Sequence, residues 1–430
     1  STGRARRPPL GSSAVMQAMD TATQLSRFER RGAGTDAERR AAVWLAGQLR
    51  AGRRRASLQT FWCRPNWALA QAWHTLAAIV GSLLAVHHGF LGGAITLGAL
   101  LCVIADTVTG HSPGRRLTRE RASQNVVSRA PAPPTTTGAA SGTPARVRLI
   151  VTANYDAGRT GLVYRNWLRV PVARLRRLTG PLSPGWAGWL VIAMAWLVAV
   201  AVVRHGGTAG TPIGVAQLIP TAALVLALAL LLELGGAPFG PAAGDNGTGA
   251  GVAIALVRAL DAAPPARLDV ELVLQGAGEA GMVGLRRHLR ARRGELRPAN
   301  TIVLGIAAAG SGRPRWWVSD GPLVPLRYLA RLRGLAARAG GSARPHRGRG
   351  TSPALPARAR RIPALTVGCL DARGLAVRSH QPGDIPAALD PAATDALLHF
   401  TLTLVDAIDA DLARTQASTA PAEHAAQAAG

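Results

Sequence analysis

Three short islands in the second half of the chain carry side chains that bind metal ions and move protons. They are Gly244-Asp245-Asn246-Gly247-Thr248-Gly249, Gly276-Ala277-Gly278-Glu279-Ala280-Gly281 and Ser379-His380-Gln381-Pro382-Gly383-Asp384. Each sets an Asp, Glu or His among small residues that let backbone crowd against an ion. Asp245, Glu279 and His380 together could make one zinc site. Taken singly, each also has a plain structural reading: Asp245 as a helix N-cap, Glu279 and His380 as surface side chains.

The elements that must position these islands follow from hydrophobic periodicity. Beyond residue 240 the pattern predicts a helix over 249–260, a buried strand over 269–275, a helix over 282–293 and a strand over 301–306. A helix over 326–337, a strand over 364–367 and a closing helix over 394–412 follow. Strands alternating with helices predict an α/β layer structure with a mainly parallel sheet. Earlier, residues 37–49 repeat apolar side chains on a helical period, and 56–61, 124–127 and 147–153 read as strands. A Pro/Thr/Gly-rich loop, 130–145, separates the last two. Ligands collect at the carboxyl ends of strands in open α/β sheets, and Asn154-Tyr155-Asp156 and Gly278-Glu279 both fall there.

Two pairs of nearly uncharged apolar runs interrupt this pattern, at 67–86 and 90–108, then at 186–203 and 213–234. Each is close to the roughly 20 residues that cross a bilayer, with buried core helices of a soluble protein as the alternative. Arginine is abundant before the first run and between the second and third, and nearly absent from both hairpin connections. The positive-inside rule therefore predicts a multi-pass protein of the cell membrane with both termini and the soluble parts in the cytoplasm. Asp106 and Glu233 sit near run ends, where they are expected to reach the interface; a transporter would favour ionisable groups at mid-membrane.

The chain has 430 residues, with 50 Lys+Arg against 23 Asp+Glu, and all 50 are Arg. Such a charge attracts anionic lipid or nucleic acid non-specifically, but the arginines are scattered and no recognition motif accompanies them, so specific nucleic-acid binding is not expected. Cys63, Cys102 and Cys369 are far apart and form no CxxC pair, which fits a reduced compartment. His87, His88, His205, His288 and His346 show no ligand spacing and are expected at interfaces or in solvent.

The chain resembles the M28 family of zinc aminopeptidases and carboxypeptidases over about residues 27–412. The resemblance rests on the lead-in Arg31-Gly32-Ala33-Gly34-Thr35, the strand Asn125-Val126, the Asp245 island, the stretch Gly276–Gly284 and His380-Gln381-Pro382-Gly383-Asp384. It implies an M28 zinc-exopeptidase-like, mainly parallel sheet flanked by helices and interrupted by two transmembrane hairpins. The implied division is a disordered or arginine-rich tail (1–26), domain segments at 27–62, 124–180 and 240–412, hairpins at 67–108 and 186–234, and a disordered tail (413–430).

Three positions depart from the family pattern. Asn154 stands where the first metal-binding His belongs, with the supporting carboxylate kept as Asp156; Gly305 aligns with the second metal-binding Asp; Gly278 occupies the general-base position. Ser379 replaces a Tyr that supplies an oxyanion contact in many members. The resemblance thus implies one zinc on Asp245, Glu279 and His380, no second ion, and a weakly active or inactive exopeptidase homologue that binds a peptide or peptide terminus. An active membrane-bound aminopeptidase and a non-enzymatic membrane scaffold are the alternatives.

Overall fold

The computed structural model describes residues 12–130, 146–180 and 183–427. In chain order the elements are α1 (Ser12–Ser26), α2 (Asp36–Ala51), β1 (Arg55–Cys63), α3 (Trp67–Leu84), α4 (Gly89–Thr109), α5 (Pro113–Arg116), β2 (Arg121–Arg129) and β3 (Val147–Asn154). Then come α6 (Asn166–Thr179), α7 (Trp186–His205), α8 (Thr211–Gly236), α9 (Gly249–Ala262), β4 (Leu268–Gln275), α10 (Val283–Ala291), β5 (Thr301–Ile306) and β6 (Arg313–Asp320). β7 (Leu326–Arg327), α11 (Ala330–Ala339), β8 (Arg344–Arg347), α12 (Leu355–Ala359), β9 (Ala364–Leu370) and α13 (Pro391–Gln427) complete the order.

The nine strands form one sheet in the order β1-β2-β4-β3-β5-β9-β6-β7, with β8 beside β6. Its centre, β4-β3-β5-β9, is parallel, and the flanking pairs with β2 and β6 are antiparallel. The central strands are buried along nearly their whole length, as strands covered on both faces must be. Helices α9 and α13 pack together under α1, while α10 and α12 meet near β4 and β9. Thr35 caps α2 by accepting from the Glu38 N–H at 3.2 Å, and Glu38 Oε2 accepts from the Gly34 N–H at 2.7 Å, so the Thr-x-x-Glu pattern acts as a capping box shifted by one residue.

Helices α3, α4, α7 and α8 are long and apolar enough to cross a membrane. They pack as a bundle against one another. Small residues allow the closest approach: a β-carbon on Gly92 would fall 2.3 Å from Ala85 N. Polar pairs tie the helices, Ser82 Oγ to Thr221 Oγ1 at 2.8 Å and Arg204 Nε donating to Gln217 Oε1 at 2.6 Å. Large apolar side chains, Phe90, Leu101, Leu218 and Leu226 among them, point outward and are exposed.

Several expectations change. The N-terminal tail read as 1–26 contains α1, whose Ala18 and Leu25 are fully buried. The closing helix continues to Gln427, through most of the segment read as a disordered tail. The helix expected at 326–337 starts later, because Leu326–Arg327 pairs with Ser319 and Asp320 of β6. Strand β6, with Trp316 and Trp317 buried, lacked an alternating pattern and was not foreseen. His288 is buried beside Gln59 and Glu271, not solvated. Asp106 is buried at the bundle end, held by Arg115 Nε at 2.8 Å and Gln71 Nε2 at 2.9 Å. The loop read at 130–145 lies almost wholly outside the described residues.

Candidate active site

The parallel register sets Asn154, the last residue of β3, opposite Gln275, the last of β4. The chain beyond each strand therefore emerges at the same sheet edge, and loops from 243–248 and 378–384 close over it. Two buried carboxylates hold these loops in the same way. Asp156 accepts from the Gly278 and Glu279 N–H groups at 2.9 and 3.0 Å. Asp384 accepts from the Gly244 and Asp245 N–H groups at 2.7 and 2.9 Å. Each thus grips two successive amides and presents one of the acidic islands. Burial pushes both carboxyls up to about 6, against the lowering effect of those amides.

Arg31 ties the framework from below. Its guanidinium is fully buried and donates to the carbonyls of Tyr155 (2.6 Å), Ala242 (3.1 Å), Pro241 (3.4 Å) and Leu25. Burial lowers it to about 10, while Asp156, Asp384 and Glu279 act in the opposite direction. Glu38 Oε1 accepts from Ala277 N–H at 2.9 Å and from Ser123 Oγ at 2.8 Å, which links the lead-in to the Glu279 island.

Above this frame runs a continuous polar chain. Asn246 Nδ2 donates to Ile306 O at 3.0 Å and to Asn154 Oδ1 at 2.9 Å; Asn154 Nδ2 donates to Glu279 Oε1 at 2.9 Å. Glu279 Oε2 lies 3.3 Å from His380 Nε2. His380 Nδ1 is 3.1 Å from Arg159 O, and since a carbonyl only accepts, Nδ1 carries a proton. The lone pair of Nε2 in the neutral ring then faces Glu279. Burial, with Asp245 and Asp156 adding to it, raises Glu279 well above the carboxylate range, and burial lowers His380. Both directions favour an uncharged pair in which Glu279 Oε2–H donates to His380 Nε2. Tyr164 stacks on the imidazole at 4.1 Å and 13°. Arg169 on α6 donates to Ala376 O at 2.6 Å and Ser379 O at 3.3 Å, fixing the strap that carries the histidine.

The structure therefore brings together Asn154, Asp156, Glu279 and His380, and sets Asp245, Ser379 and Asp384 as a neighbouring group in which Ser379 Oγ donates to Asp245 Oδ2 at 2.5 Å. Gly305 does not border the cluster. A β-carbon there would meet Ala354 N at 2.6 Å, inside the core, and the chain reaches the site later, at Ile306 O, Ala307 and Ala308. Gly278 lies against Asn154: its β-carbon would fall 2.2 Å from Asn154 Cβ and 3.0 Å from Asp156 Oδ1.

These residues do not fit a two-zinc centre. Asn154 directs its amide N–H groups, not a lone pair, at Glu279, and no carboxylate stands at the end of β5. The 3.3 Å between Glu279 Oε2 and His380 Nε2 suits two ligands of one tetrahedral ion with bonds of about 2.0–2.1 Å. Asp245 is engaged by Ser379, however, and among the described residues no group of three His, Cys, Asp or Glu side chains is placed to hold a metal.

Sequence reasoning missed Arg31, Glu38 and Asn246 as site residues, although Glu38 had a capping signal and Asn246 adjoins Asp245. Tyr164, Arg159 and Arg169 carried no signal, because their contacts with the segment 376–381 span more than 200 positions. The cluster opens into a cavity of about 1750 Å³ between the sheet edge and the helical bundle.

Peptidase family M28 matches residues 233–405. Among solved structures, the zinc aminopeptidase BSAP from Bacillus subtilis is 12% identical, with a TM-score of 0.52 over 93% of this chain and 95% of its own. An aminopeptidase from Aneurinibacillus sp. strain AM-1 is likewise 12% identical, with a TM-score of 0.50 over 91% of this chain and 93% of its own. At that identity the likeness is one of fold: a mixed α/β structure with a mostly parallel central sheet flanked by helices. No curated protein matches by sequence.

Proposed function

We propose, from the match of residues 233–405 to peptidase family M28, that the chain is a membrane-inserted M28 homologue that holds a peptide terminus at the Asp245/Glu279/His380 site with little or no hydrolysis. The observation that carries this reading is the contact of Gly278 with Asn154. A positioned general base typically contributes about 10²–10⁴ in rate. At residue 278 there is neither a side chain nor space for one, since Asn154 occupies it. The family as a whole implies zinc; here a single ion would fall to Glu279 and His380, joined by Asp245 once it exchanges the Ser379 hydroxyl for the ion.

Membrane insertion is supported by the outward apolar faces of the bundle and by the arginine distribution. The ends of α3, α4, α7 and α8 that join the sheet domain, Trp67, Thr109, Trp186 and Leu234, all line the same cavity. This supports a topology in which every non-membrane segment shares one side, which the positive-inside rule makes the cytoplasm.

The test is turnover of aminoacyl and peptide substrates by the purified full-length chain, alongside zinc analysis. The expected result is negligible hydrolysis and at most one zinc per chain, reduced in Asp245→Ala and Glu279→Ala. Chelator-sensitive turnover abolished by Glu279→Ala would instead establish an active aminopeptidase, and two zinc ions per chain would overturn the reading of the site.

A further inference from the structure

We infer that the cavity beneath the helical bundle is a binding site for the anionic headgroup of a membrane lipid, beside the Glu279–His380 cluster and chemically distinct from it. The inference rests on reading the four apolar helices as membrane spans, and on neither zinc nor hydrolysis.

Three observations lead to it. The first is charge: thirteen arginines and five carboxylates line the cavity, so it holds a large excess of positive charge. Two of those carboxylates are already committed, Asp106 to Arg115 at 2.8 Å and Glu120 to Arg64 at 3.7 Å. Arg116, Arg290 and Arg347 form no ion pair among the described residues. The arginines also crowd one another. Arg286 is lowered by burial and then by Arg115, Arg360 and Arg290, and Arg176 by burial and Arg349. Like charges held together in a partly desolvated wall are a standing cost that a bound anion relieves.

The second is position. The ends of the bundle helices form one wall, so a ligand in the cavity has its charged part beside the sheet and the start of the spans above it. Trp67 and Trp186 meet there with ring centroids 4.8 Å apart, aromatic groups of the kind that sit at headgroup level.

The third is α6. Its Ala173 and Arg176 border the cavity, while Trp167, Leu175 and Leu178 are exposed. An amphipathic, arginine-rich helix ending six residues before α7 is suited to lie along an anionic membrane surface. That would set the cavity's mouth at the lipid interface. A free phosphate matches the charge but neither the tryptophans nor the apolar face of α6, so the lipid is the better-matched source.

The experiment uses the full-length protein in a zwitterionic detergent, titrated with phosphatidylglycerol, phosphatidylcholine or inorganic phosphate, with thermal unfolding and native mass spectrometry as readouts. Phosphatidylglycerol is expected to bind about tenfold or more tighter than phosphatidylcholine, and to weaken with salt, as juxtamembrane basic clusters do. The triple variant Arg116→Gln, Arg290→Gln, Arg347→Gln should lose that preference, and Arg338→Gln, which removes an exposed arginine outside the cavity, should keep it. If the triple variant does not fold, Arg290→Gln alone should still reduce the preference measurably. Equal binding of the two lipids, an unchanged preference in the variants, full reproduction by inorganic phosphate, or displacement of the lipid by an acidic peptide at equal concentration would each overturn the inference. Peptidase and zinc assays are independent of these readouts, so failure of the proposed function and failure of this site can be told apart.

Discussion

Gly278 is packed against Asn154 so closely that a β-carbon on it would stand 2.2 Å from Asn154 Cβ. The two positions that the resemblance to M28 marks as departures, Asn154 and Gly278, are therefore one packed unit in space. Asn154 fills the volume beside residue 278 and spends its amide on Glu279.

The contact predicts strong coupling. Gly278→Ala should destabilise by about 1–3 kcal/mol, the usual cost of overpacking, read as a lowered unfolding temperature. Asn154→Gly removes the opposing β-carbon, so the double variant should lose less than the sum of the two singles. Gly278→Glu should gain no hydrolysis. Additive losses in the double-mutant cycle would show that the two positions do not touch.

Arg31 predicts a large effect far from any reacting group. Arg31→Met strips four carbonyls of their donor and leaves Asp156 and Asp384 without their buried counter-charge. Removing one partner of a buried charge cluster costs about 3–5 kcal/mol. Arg31→Lys should recover only part of this, because an ammonium cannot reproduce the planar fork that spans carbonyls on three segments. Denaturant unfolding of the three proteins measures both; equal stability of Arg31→Lys and the parent would contradict the bonding described.

Glu38 predicts how stability varies with pH. Burial, reinforced by the charge of Asp156, raises it from 4.5 to about 8. Between those values the folded chain holds a proton that the unfolded chain has released, so stability falls as pH rises. The contribution is fully present below about 4.5 and lost through about 8, with a slope of at most ~1.4 kcal/mol per pH unit. Glu38→Gln, which mimics the protonated acid, should flatten the profile across that window. A parent whose stability rises from pH 5 to 8 while the variant tracks it would sink the assignment.

Much of this protein was legible in the chain. The alternation of buried strands with amphipathic helices, the four nearly uncharged apolar runs and the small-residue islands around Asp245, Glu279 and His380 are local patterns, set by periods of about 2.0 and 3.6 residues and by the length of a bilayer span. They determined the fold class, the extent of the bundle helices and the neighbourhood of the site. Strand β6 escaped because its burial comes from distant partners and not from its own alternation, whereas α1, with Val15, Ala18, Ala22 and Leu25 buried on a helical period, was hidden only by reading 1–26 as a tail. The tertiary structure alone decided what the islands do together. Asn154 and Glu279 meet across 125 positions, Asp245 and Ser379 across 134, and Arg31 reaches carbonyls up to 211 positions away. No spacing rule encodes such contacts, since they arise only where parallel strands β3 and β4 end in register and loops from separate segments converge on one sheet edge.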